Sequence, residues 1–88
     1  MLTAEAARHL ADGLDLLGRG DPGRAVFAFR EANRIAPDSA DAVAAMGYAL
    51  GRLGAPDRAA ACYREALRLD PDHVAALTNL RSEEHTSE

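Results

Sequence analysis

The side chains best suited to metal or nucleophilic chemistry within residues 1–80 are two histidines and one cysteine. His9, His73 and Cys62 could ligate a metal through nitrogen or sulfur. A metal site needs several such groups to converge, but each of these lies in a different predicted helix or turn. A lone cysteine also forms no disulfide within one chain. We therefore expect no metal site and no structural disulfide.

Motifs for phosphate binding or nucleophilic catalysis are missing as well. The sequence has no Gly-rich phosphate cradle and no Gly-x-Ser-x-Gly motif. Asp70, Asp72 and His73 surround a proline, and residues of these types at that place are typical of helix capping and of a solvated turn. The sequence therefore predicts a protein that is not an enzyme and uses no cofactor.

The charge pattern argues against nucleic acid and membrane as partners. The formal net charge is -4, and all 10 basic residues are Arg. Such a chain has no positive field that would attract a phosphate backbone. Arginines lie among acidic neighbours, which predicts solvated helix faces with ion pairs. The arginines concerned are Arg24, Arg30, Arg34, Arg58, Arg64 and Arg68.

Membrane insertion and secretion are not indicated by the sequence. No run approaches the roughly 18 apolar residues that span a bilayer, and the N-terminus lacks the basic start of a secretory signal. Together with the lone Cys62, this predicts a cytoplasmic protein. The heavy use of Arg and Ala is typical of a GC-rich, bacterial source.

An internal repeat in the sequence predicts the secondary-structure elements that carry these side chains. A shift of the chain by 34 positions places Pro22 on Pro56 and Pro37 on Pro71. Agreement this dense at one offset predicts two copies of one structural unit. The other pairs include Gly13 with Gly47, Leu16 with Leu50, Gly20 with Gly54, Ala25 with Ala59, Phe29 with Tyr63 and Ala32 with Ala66.

The pattern of each copy predicts two helices. Segments 4–17 and 39–53 contain no Pro, are rich in Ala and Leu, and end near Gly, the usual stop signal. Each second helix begins where Pro is tolerated in the first turn and ends before the next Pro. The second helices are expected from Pro22 to about Ile35 and from Pro56 to about Leu69.

The last eight residues differ in composition from the rest of the chain, which is rich in Ala, Leu, Arg and Asp. Residues 81–88, Arg-Ser-Glu-Glu-His-Thr-Ser-Glu, resemble codon for codon the conceptual translation of a common short-read sequencing adapter. The alternative is a natural polar tail. We expect a non-native tail, so that His85 has no functional meaning and the natural protein continues past Leu80.

The repeat resembles the tetratricopeptide repeat, which has Gly in its first helix, Ala, an aromatic and Ala along its second, and Pro at the junction. The resemblance covers about residues 6–80. It implies an all-α fold in which helix-turn-helix repeats stack as a short right-handed α-solenoid. A domain over 1–80 would hold repeat 1 (about 6–39), repeat 2 (about 40–73) and a truncated repeat 3 (about 74–80).

The first repeat departs from the family pattern. His9 and Asp12 stand where the family usually carries a bulky side chain, and Asn33 replaces the aliphatic found as Leu67. A terminal repeat that faces solvent on one side is commonly atypical. His9 and Asp12 are three residues apart on a helix and could pair.

In the resembled family the first helices line a concave groove that holds a peptide. Among the residues that the register places there, Tyr48 is the best candidate because it combines apolar area with a hydroxyl. For the stripe of Leu10, Leu14 and Leu17 there are two interpretations, an exposed groove wall or a buried face, and we favour burial. The full set is Leu10, Leu14, Leu17, Asp41, Ala44, Tyr48, Arg52, Ala75 and Thr78.

The resemblance implies a non-catalytic module for protein–protein interaction. The peptide-carboxylate clamp of chaperone-binding members is not expected, because it needs Lys and the sequence has only Asn79 near the groove. One alternative is the N-terminal repeat region of a larger enzyme, such as a glycosyltransferase or another transferase. Another is a self-associating helical bundle, since a truncated third unit leaves Leu77 and Leu80 uncovered.

Overall fold

A computed structural model describes residues 3–84 of the chain, and within that range every regular element is an α-helix. The predicted all-α repeat solenoid is confirmed. The molecule measures 42 × 28 × 16 Å, as expected for repeats that stack in one direction. The helices are α1 (Ala4–Gly18), α2 (Pro22–Ile35), α3 (Ala40–Arg52), α4 (Pro56–Leu69) and α5 (Val74–Glu84).

The helices pack as two hairpins that stack on each other. The most extensive contacts join α1 with α2 and α3 with α4, and these pairs are the two hairpins. The hairpins stack through α2 and α3, and α5 packs on α4. In addition, α3 touches α1 and α5, so it contacts all four of the other helices.

Three of the helices begin at a side-chain oxygen that caps their backbone. The side-chain oxygens of Thr3, Asp21 and Ser39 each accept a hydrogen bond from the amide three residues later, at 3.1, 3.1 and 3.2 Å. Such caps satisfy amides that have no partner inside the helix. Helix α4 follows Ala55, which has no side chain that could act in this way.

Both hairpins close through the same glycine turn. Gly20 and Gly54 have φ angles of +80° and +82°, in the left-handed region that glycine enters at no steric cost. The next amide then donates a hydrogen bond back to the carbonyl oxygen of Leu16, at 2.9 Å, or of Leu50, at 3.0 Å. The repeated glycine therefore ends the first helix of each unit and starts the return of the chain.

Inside each hairpin an aromatic ring lies directly on a glycine. A Cβ atom added at Gly13 would lie 2.3 Å from Cε1 of Phe29, and one added at Gly47 would lie 2.9 Å from Cε1 of Tyr63. Both rings are buried, Phe29 at 0% and Tyr63 at 1% exposure. Small residues surround them and let the helices approach. These are Ala25, Ala32, Ala59 and Ala66, all fully buried.

The helix of the truncated third unit extends beyond residue 80, where this unit was expected to end. Helix α5 runs through residues 81–84 of the expected tail, and Arg64 forms an ion pair with Glu84. Val74 and Leu77 of this helix are exposed. Residues 85–88, and with them the prediction for His85, lie outside the described residues. The non-native origin of the tail stays a prediction.

Asn33 leaves a buried polar atom without a partner at the contact between α2 and α3. Its Nδ2 donates a weak hydrogen bond to Sδ of Met46 at 3.8 Å, whereas its Oδ1 is buried and accepts none. A buried acceptor without a donor costs free energy, because it has lost its water. The equivalent residue in the second repeat is Leu67, a half-buried aliphatic.

Replacing Asn33 with Leu is expected to raise the free energy of unfolding by about 1 kcal/mol or more, since it removes the unpaired amide oxygen and adds apolar contact. Urea unfolding of the two proteins would measure the change. The reciprocal Leu67→Asn variant should lose stability. Lower stability of Asn33→Leu would show that the site has no room for an aliphatic side chain.

Candidate functional site

The first helices α1, α3 and α5 are neighbours in space, with α3 in contact with both α1 and α5. Most of the groove residues expected on α3 and α5 are exposed to solvent. Tyr48 is 43% exposed, whereas Ala44 is buried. The exposed residues of the set are Asp41, Arg52, Ala75 and Thr78.

The leucine stripe of α1 is divided between core and surface. Leu10 and Leu17 are half-buried and pack against the cluster around Phe29. Leu14, between them, is 54% exposed. The burial that we favoured therefore applies to two members of the stripe, and Leu14 alone presents its side chain to solvent.

Tyr48 and Arg52 line one pocket of ≈ 180 Å³ between α3 and α5. They are four residues apart on α3 and so lie on the same face. Arg52 makes no ion pair with any residue in the range 3–84. The other lining residues are Gly51, Tyr63, Asn79, Ser82 and Glu83.

The wall of this pocket contains the hydroxyl of Tyr63. Burial raises the pKa of Tyr63 to about 12, and the charge of Glu83 acts in the same direction. A hydrogen bond that the Tyr63 oxygen accepts from the side chain of Asn79 partly offsets the shift of the pKa. Tyr63 is therefore neutral at physiological pH and contributes a hydroxyl dipole to the pocket.

Sequence reasoning missed several residues of this pocket. Ser82 falls on Tyr48 in the 34-residue register, but it was set aside with the expected tail. Glu83 belongs to the same tail, and its Oε2 lies 2.6 Å from the position of a Cβ on Gly51. The repeat register was the signal that would have found Ser82. No pattern in the sequence indicates the contact between Glu83 and Gly51.

His73 links the start of α5 to the start of α3. Its Nδ1 accepts a hydrogen bond from the amide of Ala76 at 3.1 Å, so it caps α5 as Ser39 caps α3. A neutral imidazole with Nδ1 as acceptor carries its proton on Nε2. That nitrogen lies 2.7 Å from Oδ1 of Asp41, to which it donates. Asp41 is thus tied to the repeat junction at one end of the groove.

Replacing His73 with Ala is expected to lower the free energy of unfolding by about 1–2 kcal/mol, because α5 loses its cap and its link to Asp41. The control is His73→Ser, which keeps a capping oxygen but does not reach Asp41, and should recover part of the loss. Thermal unfolding would compare the three proteins. Equal destabilisation by Ala and Ser would contradict the capping role.

Other groups singled out in the sequence do not converge. His9 and Asp12 make no ion pair with each other in the described range. Burial raises the pKa of the Cys62 thiol, which makes it a poor nucleophile. Among residues 3–84 no three His, Cys, Asp or Glu side chains come together as metal ligands. None of the helices in that range is long and apolar enough to cross a membrane.

Comparison with known proteins agrees with the repeat geometry. A solved structure described as "MamA RS-1 ArsTM double mutant" superposes with a TM-score of 0.87 and 25% sequence identity over 94% of this chain. The chain spans 47% of that protein's length, about half of it. No curated protein matches the chain.

The family assignment rests on a match to most of the chain. A family model described as "Tetratricopeptide repeat" matches residues 16–83, which include both glycine turns and both buried rings. Repeats of this family generally mediate protein–protein interaction, and its proteins are generally scaffolds without catalytic activity. On this match, together with the stacked hairpins, the chain belongs to the tetratricopeptide repeat family.

Proposed function

We propose that the chain is a non-catalytic interaction module that holds a peptide or protein segment along the surface of α1, α3 and α5. The observation that supports this most directly is the pocket shared by Tyr48 and Arg52. A large amphipathic ring and a guanidinium without an ion-pair partner are the side chains that dominate protein interfaces.

The size and chemistry of the pocket favour a polypeptide ligand. Its volume of ≈ 180 Å³ is below the roughly 300–1,000 Å³ of typical small-molecule sites, so one anchoring side chain suits it better than a whole small molecule. The ring of Tyr48 offers apolar area to that anchor. Arg52 offers charge-assisted hydrogen bonds to an acidic group beside it. We expect the bound segment to carry both groups.

A peptide array would test this surface. The intact protein and the Tyr48→Ala, Arg52→Ala double variant would be compared on the same array, and the double variant should lose binding. Arg19→Ala with Leu53→Ala is the matched control, because it truncates an arginine and an exposed apolar side chain outside the groove set. Equal binding by the intact protein and the groove variant would remove this surface from consideration.

A second candidate function is self-association through α5. Val74 and Leu77 are exposed on this helix, and no other helix within residues 3–84 covers them. Light scattering at two protein concentrations would detect such assembly. A mass that stays at one chain at both concentrations would exclude it.

We also infer a cytoplasmic, bacterial protein whose partners include neither nucleic acid nor membrane, since the sequence is acidic and has a single cysteine. The repeat region would be a fragment of a longer protein, whether scaffold or transferase. Recovery of the uninterrupted gene would test these points together. A natural stop codon directly after Glu88 would contradict the adapter origin of the tail.

A further inference from the structure

A second and larger pocket opens between the second helices, on the other side of α3 from the groove. Its volume is ≈ 380 Å³, and we refer to it as the outer pocket. Two guanidinium groups border an apolar interior, and the lining contains no carboxylate. The residues that line it are Val26, Arg30, Met46, Leu50, Arg58, Ala61 and Cys62.

The outer pocket and the groove use different faces of α3. Met46 and Leu50 line the outer pocket, while Tyr48 and Arg52 line the groove pocket. Two residues along an α-helix are about 200° apart around its axis. The two pockets are therefore on nearly opposite sides of this helix, and one ligand in each is sterically compatible.

Arg58 differs from the equivalent arginine of the first repeat in having no acidic partner. In the first repeat Arg24 forms an ion pair with the capping residue Asp21 at 3.7 Å. The position of Asp21 is taken by Ala55 in the second repeat. Arg58 accordingly makes no ion pair in the described range, contrary to the ion pairing expected from its neighbours.

Arg30 likewise has no ion pair among residues 3–84, although its counterpart binds a carboxylate. In the second repeat Arg64 pairs with Glu84, which extends from the next helix. The residue 34 positions before Glu84 is Leu50, whose side chain cannot accept a hydrogen bond. Arg30 instead lies 6.0 Å from the ring centre of Phe27, a residue that is 66% exposed. The arginine at this repeat position thus has a carboxylate partner in the second repeat and has none within residues 3–84 in the first.

We propose that the outer pocket binds a segment of a partner protein that presents a carboxylate beside an aliphatic side chain. The carboxylate is held by Arg30 and Arg58, and the aliphatic group enters the lining formed by Val26, Met46 and Leu50. The exposed ring of Phe27 extends the apolar contact at the rim. The surface carries unpaired positive charge on an acidic chain, so it selects acidic segments.

Paired peptides test the proposal. Each peptide carries one Leu and one Glu at spacings from adjacent to one helical turn, and its twin carries Gln in place of Glu. Fluorescence anisotropy should show at least one Glu peptide that binds about tenfold or more tightly than its twin, because a charge-assisted hydrogen bond is lost in the twin. High salt should weaken the binding.

The thiol of Cys62 reports where the peptide binds. It is the only cysteine of the chain and lines the outer pocket. A bound Glu peptide should slow its alkylation severalfold. Free access of the alkylating reagent to Cys62 in the presence of bound peptide would place the peptide elsewhere and overturn the proposal.

Arginine variants complete the test. Arg30→Gln with Arg58→Gln should abolish the preference for the Glu peptide, whereas Arg19→Gln with Arg34→Gln removes equal charge from ion-paired surface positions and should keep it. The groove variant Tyr48→Ala, Arg52→Ala should also keep it. The proposal fails if no Glu peptide is preferred, if the Arg30, Arg58 variant still prefers it, or if the groove variant loses it. Thermal unfolding checks that each variant is folded.

Discussion

Replacement of Tyr63 by Ala is expected to lower the free energy of unfolding by about 3–5 kcal/mol. A chain of this length has a total stability of about 4–13 kcal/mol, so this variant would be partly or largely unfolded. The physical reason is the cavity left by a side chain of 1% exposure, which packs against Gly47 and the core around Leu50 and Ala59. Urea unfolding followed by circular dichroism would measure the loss.

Two tyrosine variants separate burial from residue type. Tyr48→Ala removes the same phenol side chain from a position on α3 that is 43% exposed. It should change the free energy of unfolding by less than about 0.5 kcal/mol. Tyr63→Phe keeps the ring and removes only the hydroxyl that bonds to Asn79, at a cost of about 1 kcal/mol. Equal losses from Tyr63→Ala and Tyr48→Ala would contradict the core position of Tyr63.

Replacement of Gly13 by Ala is the second large effect, with an expected loss of about 1–3 kcal/mol from overpacking. The added Cβ would lie 2.3, 2.6 and 2.8 Å from three atoms of the Phe29 ring, so the ring has to move. Gly18→Ala, near the end of the same helix, is the matched control, because nothing lies within 4 Å of its added Cβ. It should be neutral or slightly stabilising.

A double-mutant cycle tests whether the Phe29 ring causes this loss. Phe29→Leu alone removes part of the ring volume and should destabilise the protein. Combined with Gly13→Ala it should cost less than the two single changes together, by about 0.5 kcal/mol or more, because Leu lacks the atoms that collide. Additive free energies of unfolding would show that the collision is relieved by some other movement.

Local signals explain why the fold could be predicted from the sequence. A Pro marks the start of each second helix, and a Gly with positive φ follows each first helix. Both signals act within one turn of the chain. The first helix was therefore expected over segment 4–17, and it runs from Ala4 to Gly18. The 34-residue offset also makes Gly13 equivalent to Gly47 and Phe29 equivalent to Tyr63, and the structure repeats the same contact of ring and glycine in both copies. Each of these features needs only a few residues of context.

The details of the binding surfaces depend on contacts between distant residues, and the sequence did not reveal them. Arg58 has acidic neighbours along the chain, yet it makes no ion pair within residues 3–84, because the residue that precedes its helix is Ala55 and not an acidic cap. Leu14 shares the spacing of Leu10 and Leu17, but it is exposed, whereas the other two pack against the cluster around Phe29. The unpaired oxygen of Asn33 depends equally on where α3 lies. Helical spacing alone cannot supply these distances.

The position of α3 in contact with all four other helices has a consequence for how the molecule opens. Its buried residues belong to both apolar clusters, with Leu50 in one and Ala49 in the other. Separating α3 from its neighbours therefore exposes both clusters at once, while α1 or α5 can detach at the ends at lower free energy. Backbone amides in the middle of α3 should then exchange with deuterated solvent only through complete unfolding.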